Sequence, residues 1–286
     1  MSTRIIDFHT HTFPDRVADR ALAKLRAGCH TRSFTDGTAA GLRASMDRAG
    51  IDLSVVLPVA TSAAQVAHIN DRAIETHRRA GETGLDSFGA AHPGDPDWRG
   101  ELDRLAAAGV RGIKIHPPYQ GVDLDDLRYL RVLDRAGELG LLVVTHAGLD
   151  VGLPGAEQST PEKIRRAVDA VGPVKLICAH MGGWKCWDAV CELLAETGVW
   201  LDTSFSLGPM TPCGDGYPWR PEALNRLDPE AFCGMVRLFG AARVLFGTDS
   251  PWSDQADALA RFRALPLTED EKTAVLSGNA EKLLLG

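Results

Sequence analysis

Short apolar or β-branched runs alternate along the chain with longer stretches of helical spacing. The runs are Ile5-Ile6-Asp7-Phe8, Ser54-Val55-Val56-Leu57, Asp86-Ser87-Phe88-Gly89-Ala90, Gly112-Ile113-Lys114-Ile115, Leu141-Leu142-Val143-Val144, Val174-Lys175-Leu176-Ile177-Cys178, Val199-Trp200-Leu201 and Arg243-Val244-Leu245-Phe246. Most are continuous rather than alternating, the pattern of parallel strands covered on both faces. Helical spacing occupies residues 38–49, 64–79, 101–108 and 124–139. Thr160-Pro161-Glu162-Lys163 opens a further helix with an N-cap threonine, a first-turn proline and an acid. At Gly50 and Gly140 a glycine stands between helix and next strand, where the chain needs a left-handed C′ residue. Eight such units predict a closed (β/α)8 TIM barrel, an α/β fold, as one catalytic domain over residues 1–286. A doubly wound open sheet has no reason to number eight. The segment 205–221, rich in glycine and proline, follows the seventh run and is a lid candidate at the catalytic end.

Composition narrows the setting. A length of 286 residues suits one barrel, since α/β barrels of roughly 250 residues are ordinary single units. Hydrophobic residues at 44% allow a large core and argue against disorder. The net charge of -7, from 31 basic and 38 acidic residues without long runs, leaves no basic stripe for nucleic acid. Met1-Ser2-Thr3-Arg4 leads straight into the first strand without the features of a signal peptide. No apolar stretch reaches the roughly 18 residues of a membrane span. The six cysteines (Cys29, Cys178, Cys186, Cys191, Cys213, Cys233) show neither C-x-x-C pairs nor scaffold density. A cytoplasmic protein with reduced thiols and a small-molecule substrate is therefore expected. Barrels of this size often dimerise, although no repeat or heptad argues for a homodimer here.

The polar residues that follow the runs carry the chemistry. They are His9-Thr10-His11, His92-Pro93, His116-Pro117, Thr145-His146, Ala179-His180 and Thr248-Asp249. Strand C-termini build the active site of this fold, whereas the opposite end serves stability. His9 and His11 are two apart on one strand, so both side chains point into the barrel and can share one metal. The plainer reading is two histidines that cap strand ends through hydrogen bonds. His146 and Asp249 arrive from other sides of the barrel and would complete a set of three imidazoles and one carboxylate. That set suits one divalent ion, zinc first, with Mn, Fe, Co or Ni also accommodated, and leaves a position for water.

In series these segments resemble the amidohydrolase superfamily. The carriers are Ile6-Asp7-Phe8-His9-Thr10-His11, Gly112-Ile113-Lys114-Ile115-His116-Pro117, Val144-Thr145-His146-Ala147-Gly148 and Cys178-Ala179-His180-Met181-Gly182-Gly183. Leu201-Asp202-Thr203-Ser204, Leu245-Phe246-Gly247-Thr248-Asp249-Ser250-Pro251-Trp252 and the terminal Gly278-Asn279-Ala280-Glu281-Lys282-Leu283 complete the order. The chain is similar in particular to the amidohydrolase-related branch that contains aminocarboxymuconate semialdehyde decarboxylase. The resemblance implies a mononuclear site with His9, His11, His146 and Asp249 as ligands and His180 as an acid/base group. His180 precedes Gly182-Gly183, where substrate can approach the backbone closely; an orienting, hydrogen-bonding role is its alternative.

Lys114 shares a face with His116 and has three readings: a carboxylated bridge between two metals, a partner of a substrate carboxylate, or an interior lysine paired with an acid. His116 is either a ligand or a polar wall residue. His92 reads as structural, and His30, His68 and His77 as surface or packing residues. Trp184, Trp187, Trp219 and Trp252 offer stacking surfaces or packing. Arg16, Lys185 and Arg220 offer carboxylate partners or solvated charge. A metal lowers the pKa of bound water to about 7. The first functional reading is thus hydrolysis of an ester, lactone or amide of a small carboxylated substrate, with Asp249 and His180 as the catalytic pair. The alternative, which the resemblance brings in, is non-oxidative decarboxylation of an aromatic or muconate-type acid. A non-catalytic metal- or ligand-binding barrel is the reading of another class.

Overall fold

The computed structural model describes residues 4–285. Strands β1 (Ile6–Thr10), β2 (Leu53–Val56) and β3 (Leu85–Ser87) form one parallel sheet. Strands β4 (Gly89–Ala90), β5 (Gly112–Ile115), β6 (Leu142–Thr145), β7 (Leu176–Cys178), β8 (Trp200–Asp202) and β9 (Val244–Leu245) form a second, in that order and also parallel. β3 and β4 are one stave of the barrel, interrupted at Phe88, whose N–H still donates to Val56 O at 3.0 Å. The ring closes between the last stave and the first. There Phe8 N donates to Phe246 O (2.8 Å), Asp249 N to His9 O (2.8 Å) and His11 N to Ser250 O (2.7 Å). Eight staves and sequential parallel pairing make the chain the single (β/α)8 barrel its pattern predicts.

Strand residues divide between two cores. Ile113, Ile115, Val143, Cys178 and Leu201 face the surrounding helices. Phe8, Val55, Phe88, Val144, Ile177 and Leu245 fill the lumen, together with Leu283 and Leu284 from the terminal helix Asn279–Leu285. Phe88 explains one glycine: a Cβ on Gly112 would lie 2.6 Å from its ring. The lumen is thus packed from below, and polar side chains are left to the C-terminal mouth.

Two segments depart from expectation. Helix Asp15–Cys29 lies outside the helical stretches read from the sequence, and it buries only Ala18, Leu22 and Cys29. The lid candidate 205–221 is tied down: Arg32 N donates to Thr211 O (2.8 Å), Cys213 N to His30 O (3.0 Å) and Leu227 N to Ser206 O (3.0 Å). Of that segment only Phe205 reaches the cavity at the mouth. No helix among the described residues is long and apolar enough to cross a membrane.

Candidate metal centre

β1 changes register between Asp7 and Thr10. Asp7 is buried and accepts from Thr248 Oγ1 (2.6 Å), Thr248 N (3.0 Å) and Gln255 Nε2 (2.8 Å), which holds it on the helix side. Phe8 fills the lumen, and His9 turns its ring over that packing into the mouth. Gly247 makes room for it, because a Cβ there would lie 2.8 Å from His9 Cβ.

His9 Nε2, His11 Nε2 and Asp249 Oδ1 converge: His9 to His11 is 3.2 Å, His11 to Asp249 is 3.0 Å and His9 to Asp249 is 3.4 Å. The outer nitrogens of the two rings have partners that only accept. His9 Nδ1 donates to Asp202 Oδ2 (2.7 Å) and His11 Nδ1 to the Leu57 carbonyl (2.8 Å). In the neutral rings both Nε2 atoms therefore carry lone pairs, and three electron-rich atoms face one another. Such a set repels itself unless a cation lies among the three. The spacing also fits, since a tetrahedral ion with bonds of roughly 2.0–2.1 Å spaces its ligand atoms about 3.3 Å apart. The residues present thus fit a divalent ion bound through nitrogen and oxygen.

A second facing pair adjoins the first. His180 Nδ1 donates to Ser204 O (3.1 Å) and His146 Nε2 to Leu149 O (3.0 Å), which leaves His180 Nε2 and His146 Nδ1 as lone pairs 3.2 Å apart. Asp202 serves both sides, because its other oxygen accepts from His180 N (3.1 Å), Ser204 N (3.0 Å) and Ser204 Oγ. One buried carboxylate thereby orients His9 and His180 together, the usual function of the groups that surround metal-binding imidazoles. His180 and Asp249 hold left-handed backbone at φ 60° and 66°, a conformation costing on the order of 1–3 kcal/mol that the surrounding hydrogen bonds must maintain.

Burial sets the protonation states. It pushes the His180 ring down to about 3, aided by the neighbouring His146, and holds His146, His9 and His116 below the ordinary imidazole value. Burial alone would raise the Asp249 carboxyl. A proton on the cluster, on His11 first, would outweigh it and hold Asp249 below the carboxylate range. Burial lowers Lys114 to about 8, opposed by Asp202, Asp249 and Asp150. The contacts of His9 with carboxylates are thus hydrogen bonds of a neutral ring rather than ion pairs.

Of the four expected ligands, His9, His11 and Asp249 meet as one group, whereas His146 belongs to a second group with His116 and Asp150. His116 Nε2 and His146 Nε2 lie 3.5 and 3.7 Å from Asp150 Oδ2, and the two rings are stacked. Lys114 Nζ sits 3.4 Å from His9 Nε2 and forms no ion pair among the described residues, unlike the paired interior lysine considered above. Arg16, Trp184 and Trp252 line the cavity at the mouth. Trp187 and Trp219 do not; their ring N–H groups donate to His180 O (3.0 Å) and His30 O (3.3 Å). Lys185 is engaged by Asn225 O, and Arg220 is exposed outside the cavity. His92 accepts from Gly94 N in a turn, while His30 and His77 pair with Asp215 and Asp86. His68 reaches the cavity wall. Sequence reasoning assigned no role to Asp202 or Asp150. Asp202 stands at the end of the seventh run, a position that signals the mouth; Asp150 carries no comparable signal.

The cavity of ≈ 620 Å³ opens directly on these groups, within the size range of small-molecule sites. Trp184, Phe205, Trp252 and Tyr119 give it aromatic walls. Fold and cluster together define a TIM barrel with a candidate metal centre at its catalytic end. A family model described as amidohydrolase matches residues 6–285, so the chain belongs to this amidohydrolase family. No curated protein sequence matches the chain. Among solved structures, 5-carboxyvanillate decarboxylase from Sphingomonas paucimobilis is similar at TM-score 0.70 and 19% identity, covering 99% of each chain. The Novosphingobium aromaticivorans 5-carboxyvanillate decarboxylase, a mutant with bound manganese and a nitrobenzoic acid, gives 0.69 and 17% over 100% of this chain and 98% of that one. A protein assigned as a 2-pyrone-4,6-dicarboxylic acid hydrolase from Pseudomonas putida gives 0.65 and 18%, over 99% and 98%. At these identities the likeness bears on the fold.

Proposed function

We propose that the protein is a metal-dependent carboxy-lyase that removes CO2 from a planar aromatic or unsaturated acid. One observation carries this reading: an aromatic-walled cavity ends on the buried, converging atoms His9 Nε2, His11 Nε2 and Asp249 Oδ1. His9, His11 and Asp249 would hold the ion, with His146 alongside. When bound, the ion supplies Lewis acidity toward the substrate's oxygens. Decarboxylation exchanges a carbon–carboxylate bond for a carbon–hydrogen bond, so one proton must be delivered to the carbon that loses CO2. That proton comes from solvent water, and Asp249 and His180 Nε2, both unprotonated at rest, are the groups placed to take it and pass it to the carbon. Lys114 faces the substrate carboxylate as a cation. Trp184, Phe205 and Trp252 exclude water from that carboxylate, which favours loss of neutral CO2 over retention of the charge.

The similar decarboxylase structures support this reading over carbonyl hydrolysis, the first expectation from the sequence. Hydrolysis stays as the second reading, because a pyrone hydrolase shares the fold and Asp249 with His180 could equally activate water. Zinc- and manganese-loaded protein incubated with 5-carboxyvanillate and with 2-pyrone-4,6-dicarboxylate separates the two. Released CO2 and a decarboxylated aromatic product are expected; a ring-opened acid without CO2 would replace the lyase reading with hydrolysis. Binding of both acids without turnover would leave a ligand-binding barrel.

A further inference from the structure

Two aromatic walls of the cavity are backed by cations that do not themselves reach it. Phe205 lines the cavity at the mouth and also a second, small cavity of ≈ 30 Å³, so its ring is a partition between the two. On the side of the small cavity the Arg226 guanidinium carbon lies 3.6 Å from the ring centroid. Trp184 stands beside Phe205, at 6.3 Å between ring centroids, with Lys185 Nζ 5.6 Å from its ring. Neither Lys185 nor Arg226 is part of the lining of the larger cavity.

The pairing of two chain segments holds this arrangement. Leu207 and Leu227 form a parallel bridge and Leu227 N donates to Ser206 O (3.0 Å), which keeps Arg226 against Phe205. Lys185 Nζ donates to Asn225 O, so residues 225–227 anchor both cations. Neither cation has a carboxylate partner among the described residues. The Arg226 guanidinium donates to Leu207 O at 3.4 Å, and its Nε is buried without a partner. Asp257, the acid of the small cavity, is taken by Arg261 at 2.7 Å. Burial lowers Arg226 to about 10, opposed first by Asp249, so it stays charged at neutral pH. A methionine would pack against Phe205 without the cost of burying an unpaired charge, so packing alone does not account for an arginine here.

The charge acts across the ring. The bare face of an aromatic ring is electron-rich and disfavours an anion. A guanidinium held against one face draws on that density. A carboxylate in contact with the other face would stand about 7 Å from the cation. At an effective dielectric of about 20, that separation strengthens the binding of an anion about tenfold or more.

We infer that Arg226, assisted by Lys185, is a positioning residue that acts through Phe205 and Trp184 to draw the substrate's anionic group to this wall, so that the cavity holds an acid in preference to its neutral counterpart. The preference for an acid stands apart from the carboxy-lyase reading. Its consequence for product release rests on that reading, since loss of CO2 removes the anion that the wall attracts.

The experiment is calorimetric titration of the metal-loaded protein with benzoate and benzamide, probes of the same shape and different charge, at equal metal content. Arg226→Met should weaken benzoate about tenfold and change benzamide less than about twofold. Adding Lys185→Met should weaken benzoate further. Arg226→Lys, which keeps the charge without the planar stack, should retain most of the benzoate affinity. Equal loss of both probes in a folded Arg226→Met protein would overturn the inference in favour of a structural prop. Unchanged benzoate affinity in the double variant would overturn it too, as would an Arg226→Lys protein that behaves like Arg226→Met. Should Arg226→Met not fold, Lys185→Met alone reads the same difference: a loss confined to benzoate is expected, and an equal change in both probes counts against the assignment. CO2 release bears only on the lyase reading. Arg226-dependent preference for benzoate without CO2 from any acid would fault that proposal, and CO2 release with a preference indifferent to Arg226 would fault this one.

Discussion

Asp202→Asn tests the tautomer logic of the metal centre without changing its shape. Oδ1 of Asp202 accepts from His180 N, Ser204 N and Ser204 Oγ, three donors that an amide nitrogen cannot replace as an acceptor. The asparagine must therefore keep its oxygen there and present its NH2 to His9 Nδ1, now 2.7 Å from Oδ2. His9 then has to accept at Nδ1 and carry its hydrogen on Nε2, pointing at His11 and Asp249. One lone pair of the three is lost to the metal. Loss of a partner that orients a ligand typically weakens metal binding about 10–100-fold, or about 1.4–2.7 kcal/mol. Without metal the sign reverses, because the new Nε2–H can donate to Asp249 Oδ1 at 3.4 Å and relieve the facing lone pairs. Chelator competition should thus show the weakened affinity. Calorimetric melting should show an apo protein no less stable than the parent, with a metal-induced gain smaller by the same amount. Unchanged metal affinity in a folded Asp202→Asn protein would refute the tautomer assignment, and a large drop in apo stability would refute the account of Asp202 as an orienting group.

Three further outcomes follow from other contacts. His180→Asn should keep the metal but lower kcat about 10²–10⁴-fold, whereas Asp249→Ala should lose metal and rate together; elemental analysis beside product assays separates them. Asp126 caps helix Leu127–Glu138 by accepting from Arg128 N at 2.9 Å, so Asp126→Ala should cost about 1 kcal/mol, or roughly 2–4 °C in Tm, at neutral pH. The Arg128 hydrogen bonds hold the Asp126 carboxyl down at about 2, below its ordinary 3.8. Its contribution is therefore complete above pH 4 and fades as pH falls toward 2, and the difference between variant and parent should close over that window. Gly148→Ala should destabilise by about 2 kcal/mol or more, because Gly148 sits at φ +82° and a Cβ would lie 2.3 Å from Trp184 N. Metal affinity should fall with it if Gly148 holds His146 in place, and chelator competition on the folded fraction measures that.

The barrel was legible because parallel strands buried on both faces write themselves as continuous apolar runs, and because each run ends where polar side chains can meet. The cluster was legible only in outline. Strand ends placed His9, His11, His146, His180 and Asp249 at one mouth, but which of them touch depends on closure of the ring, through pairs such as His9 with Asp202 that are 193 residues apart. Simple alternation along β1 would put Phe8 and His9 on opposite sides. Both turn inward because Thr248 and Gln255 draw Asp7 outward and shift the register. Hydrogen bonds to a buried acid thus overrode the period on which the pairing of His9 and His11 had been argued. Helix Asp15–Cys29 escaped notice for a related reason. It follows the strand-end histidines directly and lies along an open crevice instead of a sealed core, so of its residues only Ala18, Leu22 and Cys29 are buried.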